Sequence, residues 1–268
     1  LFGDFLEPTP TYDPVSRVVR LCLTDSPALQ ADQTYRLTLV PPQNARDLDG
    51  LHAFDGAVLD PGTSPVIEFQ VVAGPPYTGP DACTGQPAVD FCTQVLPIFA
   101  NKCGGGSCHS GSYPAAGLLM TTPAGIQATA VARAAQGANT GVVAKPESPG
   151  RMFGVDMPII DPTAPSGSWL TYKLLLAAPP ACSSTPPGTS CDAGAPGVQF
   201  NRYPTLTPAW APLSDDERAT LANVVPGREM PYPVDPSVGG TSATSLTADE
   251  LDTVSTWIAQ GAPTGGCD

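Results

Sequence analysis

Prolines and glycines punctuate this chain too densely for long regular elements. Its 268 residues include 33 prolines and 27 glycines. Each proline fixes φ and removes a backbone donor, and each glycine loosens the backbone. Helices and strands therefore have to be short and joined by many turns. That density falls just short of what disordered low-complexity chains carry, and 41% of the residues are hydrophobic, enough for a packed core. The expected molecule is folded, rich in loops, and of a size for one large domain or two ordinary ones.

Charge narrows the partners. Twelve Lys and Arg stand against 25 Asp and Glu, a formal net charge of −13. Nucleic acid and anionic membrane surfaces need basic patches, so neither is an expected partner. No apolar run approaches the roughly 18 residues of a membrane span. The first twenty residues also lack the charged start and apolar stretch of a signal peptide, so an exported form would be the mature one. Eight cysteines in an acidic, lysine-poor chain suit an oxidising compartment: the periplasm, the cell surface or the extracellular space. Cys182 and Cys191 enclose the polar segment SSTPPGTS, and a bridge between them would stabilise by roughly 2.7 kcal/mol in the chain-entropy model. Cys83 and Cys92 are similarly close, which would leave Cys22 and Cys267. Spacing alone does not choose among the possible pairings.

Three runs read as strands of a small sheet: 17–24, 34–40 and 66–72. Tyr35, Leu37 and Leu39, then Ile67, Phe69 and Val71, alternate with polar residues, and turn signals separate the runs. Asp47, Asp49 and Asp55 lack the spacing of a calcium loop and read as turn formers. His52, in GLHAFDG, reads as a turn histidine. From Gly74 to Gly85 the chain reads as a linker, and helical signals follow. Thr93 is an expected cap for a helix from Gln94 to Lys102, with Val95, Ile98 and Phe99 on its apolar side and Pro97 in its first turn. A second helix is expected from Ser168 to Ala177, with Trp169 and Tyr172 packing it. A third starts at the Ser214/Glu217 capping box and runs to about Val224. The last is bounded by the Thr247/Glu250 box and by Gly261 and Pro263, with Leu251, Val254 and Ile258 on one face. The Pro-rich stretch 178–212 reads as a surface insertion.

Chemistry concentrates in CGGGSCH: Cys103, Cys108 and His109. Two thiols with an adjacent histidine are what covalent haem attachment needs. The thiols add to the porphyrin vinyl groups, and the imidazole is thereby aimed at the iron. The usual spacing has two residues between the cysteines. Here there are four, and Gly104, Gly105 and Gly106 can loop the extra length outward through positive φ. A Cys103–Cys108 disulfide and a zinc site remain alternatives, the latter short of a fourth ligand. With only His52 and His109 in the chain, histidine-based catalysis and multi-histidine metal cages have little material.

The order VLPIFANKCGGGSCHSG, SWLTYKLLL, REMPYP and LTADELDTVSTWIAQGAP resembles the c-type cytochrome domains of bacterial exported proteins. The resemblance runs discontinuously over residues 88–268. It implies one covalent haem c, with His109 as proximal ligand and the methionine of the late Met-Pro pair, Met230, as the second. Met157, also in a Met-Pro pair, competes for that role, whereas Met120 reads as core. Arg151 and Arg228 are candidates to pair with haem propionates, and Trp257 to wall the porphyrin or the core beneath it. The segment TYRLTLVPPQNARDLDGLHAF resembles the central part of bacterial immunoglobulin-like modules. The expected class is therefore α+β and multidomain. An immunoglobulin-like β-sandwich spans 1–76, followed by a mainly α cytochrome c domain over 77–268.

The implied function is one-electron transfer rather than substrate catalysis, with a redox partner protein that carries a basic patch. Two rivals are a five-coordinate haem peroxidase or gas-binding protein, and a subunit of an extracellular cytochrome assembly or filament. The oligomeric state is open.

Overall fold

The structure, a computed structural model, describes residues 9–23, 29–41, 51, 65–74, 87–105, 108–135, 156–177, 213–232 and 245–267. His52, Asp47, Asp49, Asp55, Gly106 and Arg151 lie outside the described residues. So do Cys83, Cys182, Cys191, residues 75–85 of the expected linker and the 178–212 stretch.

The described chain is α+β, with two small antiparallel sheets and five α-helices among these residues. Strand β1 (Thr9–Asp13) pairs with β2 (Val18–Cys22) as a hairpin, and β3 (Thr34–Thr38) pairs with β4 (Val66–Gln70). The three runs read as strands are strands. They do not join one ladder, however, because β2 takes β1 as its partner and the two sheets stay separate. The expected half-burial fails for β4, all of whose residues are exposed. Its Phe69 stacks on Tyr35 across the ladder at 5.8 Å between ring centroids, while Arg36 and Glu68 form an exposed ion pair on the other face.

The hairpin joins the helical part through its turn. Val15 enters the main core, and buried Asp13 accepts hydrogen bonds from Val15 N–H (3.2 Å), Ser16 N–H (3.3 Å) and the Ser255 hydroxyl (2.8 Å). A buried carboxylate is costly unless its lone pairs are used in this way.

Helix α1 (Leu96–Lys102) is entered through a wide turn over Phe91–Val95, in which Leu96 N–H reaches back to Phe91 C=O. The cap is Asp90, whose carboxylate accepts from Thr93 N–H at 2.7 Å. The cap expected at Thr93 is thus corrected. Pro97 offers no N–H and crowds the preceding turn, and a widened turn in front of it is a conformation that absorbs both. Helix α2 (Pro123–Thr129), capped by Thr122, was not expected. Helices α3 (Trp169–Leu175), α4 (Asp215–Val224) and α5 (Ala248–Ala259) follow where the sequence places them, the last two with complete capping boxes.

Two cores share α3. Leu170 and Leu174 face the first, with Phe99, Ile126, Val254, Trp257 and Ile258; Trp169, Tyr172 and Leu176 face the second, with Leu221 and Val225 from the end of α4. A helix apolar on both flanks has to be buried on both. A disulfide joins Cys92 to Cys267 across 175 residues of sequence, so the Cys83–Cys92 pairing suggested by closeness is not formed. Cys22 is also disulfide-bonded. Among the described residues no helix is long and apolar enough to cross a membrane.

Candidate functional site

Cys103 ends α1, its N–H donating to Phe99 C=O at 2.8 Å. The chain then folds back on itself. His109 N–H donates to Cys103 C=O (2.9 Å), Ala115 N–H to Cys108 C=O (2.7 Å), and Met120 N–H to His109 C=O (2.9 Å). These bonds hold the motif in a compact loop between α1 and α2. Gly104 is needed there for room rather than for an unusual φ: a Cβ at this position would run into the Thr121 side chain and the Ala100 carbonyl. The expected role of positive φ is corrected at this residue.

Cys103 and Cys108 are both free thiols, so the disulfide alternative between them is not formed. Cys103 is buried. Burial first, and the neighbouring Cys108 second, push its thiol up to about 12. It is therefore neutral at physiological pH. Among the described residues no group of three or more His, Cys, Asp or Glu side chains is placed to hold a metal ion, which a protein-only zinc site would require.

His109 is the most informative residue. Its Nδ1 lies 3.1 Å from Ala115 C=O and 3.2 Å from Leu118 C=O. Both partners are pure acceptors, so Nδ1 carries the proton and donates. Burial lowers the imidazole pKa, opposed by these two hydrogen bonds. The ring is therefore neutral, with its lone pair on Nε2. A ring oriented by carbonyls through one nitrogen and free at the other is how proteins prepare a histidine for iron. The turn that aims both carbonyls is made by Ala116 (φ 55°) and Gly117 (φ 70°) in the left-handed region. Ala115 and Leu118 were invisible to side-chain reasoning because they act through their main chain; Pro114 and Gly117 were the local signals of a turn.

The remaining expected residues divide. Met230 is half-buried against the core that holds Cys103, Phe99 and Trp257, while Met157 packs against the second core and Met120 is wholly buried. Trp257 is fully buried. It stacks on Phe91 at 5.4 Å, meets Phe99 edge-on at 5.7 Å, and donates Nε1–H to Pro263 C=O at 2.8 Å. Arg228 is exposed and lies over the Tyr232 ring, 4.4 Å from its centroid, with a hydrogen bond to the Tyr232 hydroxyl.

This donor set fits a covalently attached haem. Two unbridged thiols precede an oriented imidazole, and the Met230 thioether packs against the core that holds Cys103. No family model matches the chain, and no curated protein or solved structure matches it either.

Proposed function

We propose that the chain is an exported mono-haem c-type cytochrome that transfers single electrons. The observation that carries this reading is His109, whose Nδ1–H is taken by two carbonyls, which leaves the lone pair of the neutral ring on Nε2. Support also comes from the cysteines. Cys92 and Cys267 are bridged, while the two motif cysteines stay reduced although they are only five positions apart. In this reading Cys103 and Cys108 would hold the porphyrin by thioether bonds, and His109 Nε2 and the Met230 sulfur would hold the iron. When bound, the haem supplies a one-electron ferric/ferrous couple, whose potential methionine ligation raises. The chain's own residues do the rest. Ala115 and Leu118 keep the imidazole oriented while its burial keeps it neutral, and the Phe91, Phe99 and Trp257 cluster excludes water beneath the motif. Met230 is favoured over Met157 because it shares a core with Cys103.

The same reading keeps an immunoglobulin-like module over 1–76 and a cytochrome unit over 77–268. The antiparallel pairing of β3 with β4 supports the module, and Asp13 and Val15 give it a packed contact with α5. Structural disulfides support a periplasmic or extracellular location.

The decisive experiment is a denaturing gel stained for retained haem, paired with the intact mass. Native protein is expected to keep one haem, and the Cys103→Ala/Cys108→Ala variant none; an unmodified, colourless native chain would overturn the assignment. The ferrous protein should bind carbon monoxide slowly if His109 and Met230 both hold the iron. Rapid binding would turn the reading toward a five-coordinate peroxidase or gas-binding protein. With a net charge of −13, the redox partner should present a basic patch, and its association rate should fall as salt rises. A rate indifferent to ionic strength in stopped-flow mixing would remove that partner class.

A further inference from the structure

We propose that Lys173 is the residue that positions Met230, fastening its loop to α3 at two points. This rests on the reading of Met230 as the second iron ligand. Lys173 lies near the C-terminal end of α3, where the last carbonyls of a helix have no partner within it. The helix tightens there: Ala177 N–H donates to Leu174 C=O at 3.3 Å, which leaves Lys173 C=O to a group from elsewhere. That group is Met230 N–H, at 3.0 Å. The side chain of the same residue makes the second tie, its Nζ donating to Pro226 C=O at 3.2 Å.

The loop between these ties is short and turned. Gly227 takes φ +87°, a left-handed conformation that glycine adopts readily, and the chain beyond it returns Met230 to α3. Pro231, on the far side of Met230, is buried. Lys173 itself is buried, its ammonium disfavoured by burial and favoured by Glu229. Its hydrogen bond to Pro226 C=O fixes the start of the methionine loop. Lys173 is thus a positioning residue that acts through Met230.

The test uses haem-loaded protein and the sulfur-to-iron charge-transfer band of the ferric form. Wild type should show the band. Lys173→Met should weaken it and speed carbon monoxide binding to the ferrous form by about tenfold, the scale of one lost hydrogen bond to a charged group. Lys173→Arg should restore much of both. Ser214→Ala, which weakens the distant α4 cap, should lower stability and leave the band intact. A wild-type protein without the band overturns the Met230 reading and this proposal with it. A band and binding rate unchanged in Lys173→Met overturn the proposal alone. Should that variant not fold, amide exchange of the wild type decides: Met230 N–H is expected to exchange at least about tenfold more slowly than the exposed amide of Arg228, and equal rates overturn the proposal.

Discussion

Gly104 occupies a position where any side chain would collide with Thr121 and with the Ala100 carbonyl. One of these obstacles is backbone of α1, which cannot step aside. Gly104→Ala should therefore cost on the order of 1–3 kcal/mol, the usual range for overpacking, with a lower urea midpoint as the readout. Because Gly104 follows Cys103 directly, the same variant should retain less covalent haem on a denaturing gel. At the same scale, the orientation of His109 depends on main-chain acceptors, so it resists side-chain substitution around it. The carbonyls of Ala115 and Leu118 would be re-aimed only by changes at the left-handed Ala116–Gly117 turn.

Among the elements, α4 is held most by its ends. Ser214 accepts from Glu217 N–H at 3.3 Å, and Glu217 accepts from Ser214 N–H at 2.7 Å. The second bond, more than the nearby Arg17, lowers the Glu217 pKa. A depressed carboxylate contributes stability above its ordinary pKa, and that contribution is lost as pH falls through the folded value. Acidification from about pH 6 to pH 3 should loosen α4 along with other carboxylate-held features. Ser214→Ala should cost about 1 kcal/mol but leave that pH dependence largely in place, because the main-chain N–H at position 214 remains; Glu217→Gln should flatten it, measured as urea midpoints across the range. The Arg17–Glu217 pair, at 3.2 Å between partly exposed side chains, adds little because water screens it.

For the whole molecule, a long-range covalent constraint is Cys92–Cys267. It ties the entry turn of α1 to the chain beyond α5, spanning 175 residues. Gln260 reinforces the same junction, accepting from Val89 N–H at 2.9 Å and donating to Pro87 C=O at 2.7 Å. A cross-link over so long a loop restricts the unfolded chain strongly, by about 5 kcal/mol in the chain-entropy model and less where native geometry relaxes. Cys92→Ser/Cys267→Ser should lower the thermal midpoint by many degrees while leaving haem attachment at Cys103 and Cys108 possible. An unchanged midpoint would mean that side-chain packing alone holds the α1–α5 junction.

Local features wrote themselves plainly into the sequence. The capping boxes of α4 and α5, the apolar spacing of Leu251, Val254 and Ile258, and the alternation in three strands depend on residues a few positions apart, and each element formed where those residues lie. The Cys103, Cys108 and His109 cluster was legible for the same reason. Tertiary structure decided whatever depends on residues brought together from far away. It chose Cys267 as the partner of Cys92 and split the strands into two sheets. It put the cap at Asp90 rather than Thr93, ahead of the wide turn over Phe91–Val95 that leads into α1. It also set Met230 and Met157 on different cores, and gave His109 its carbonyls and the methionine loop its lysine. Those contacts are made by main-chain atoms and by packing across the fold, and neither leaves a periodic trace in the order of side chains.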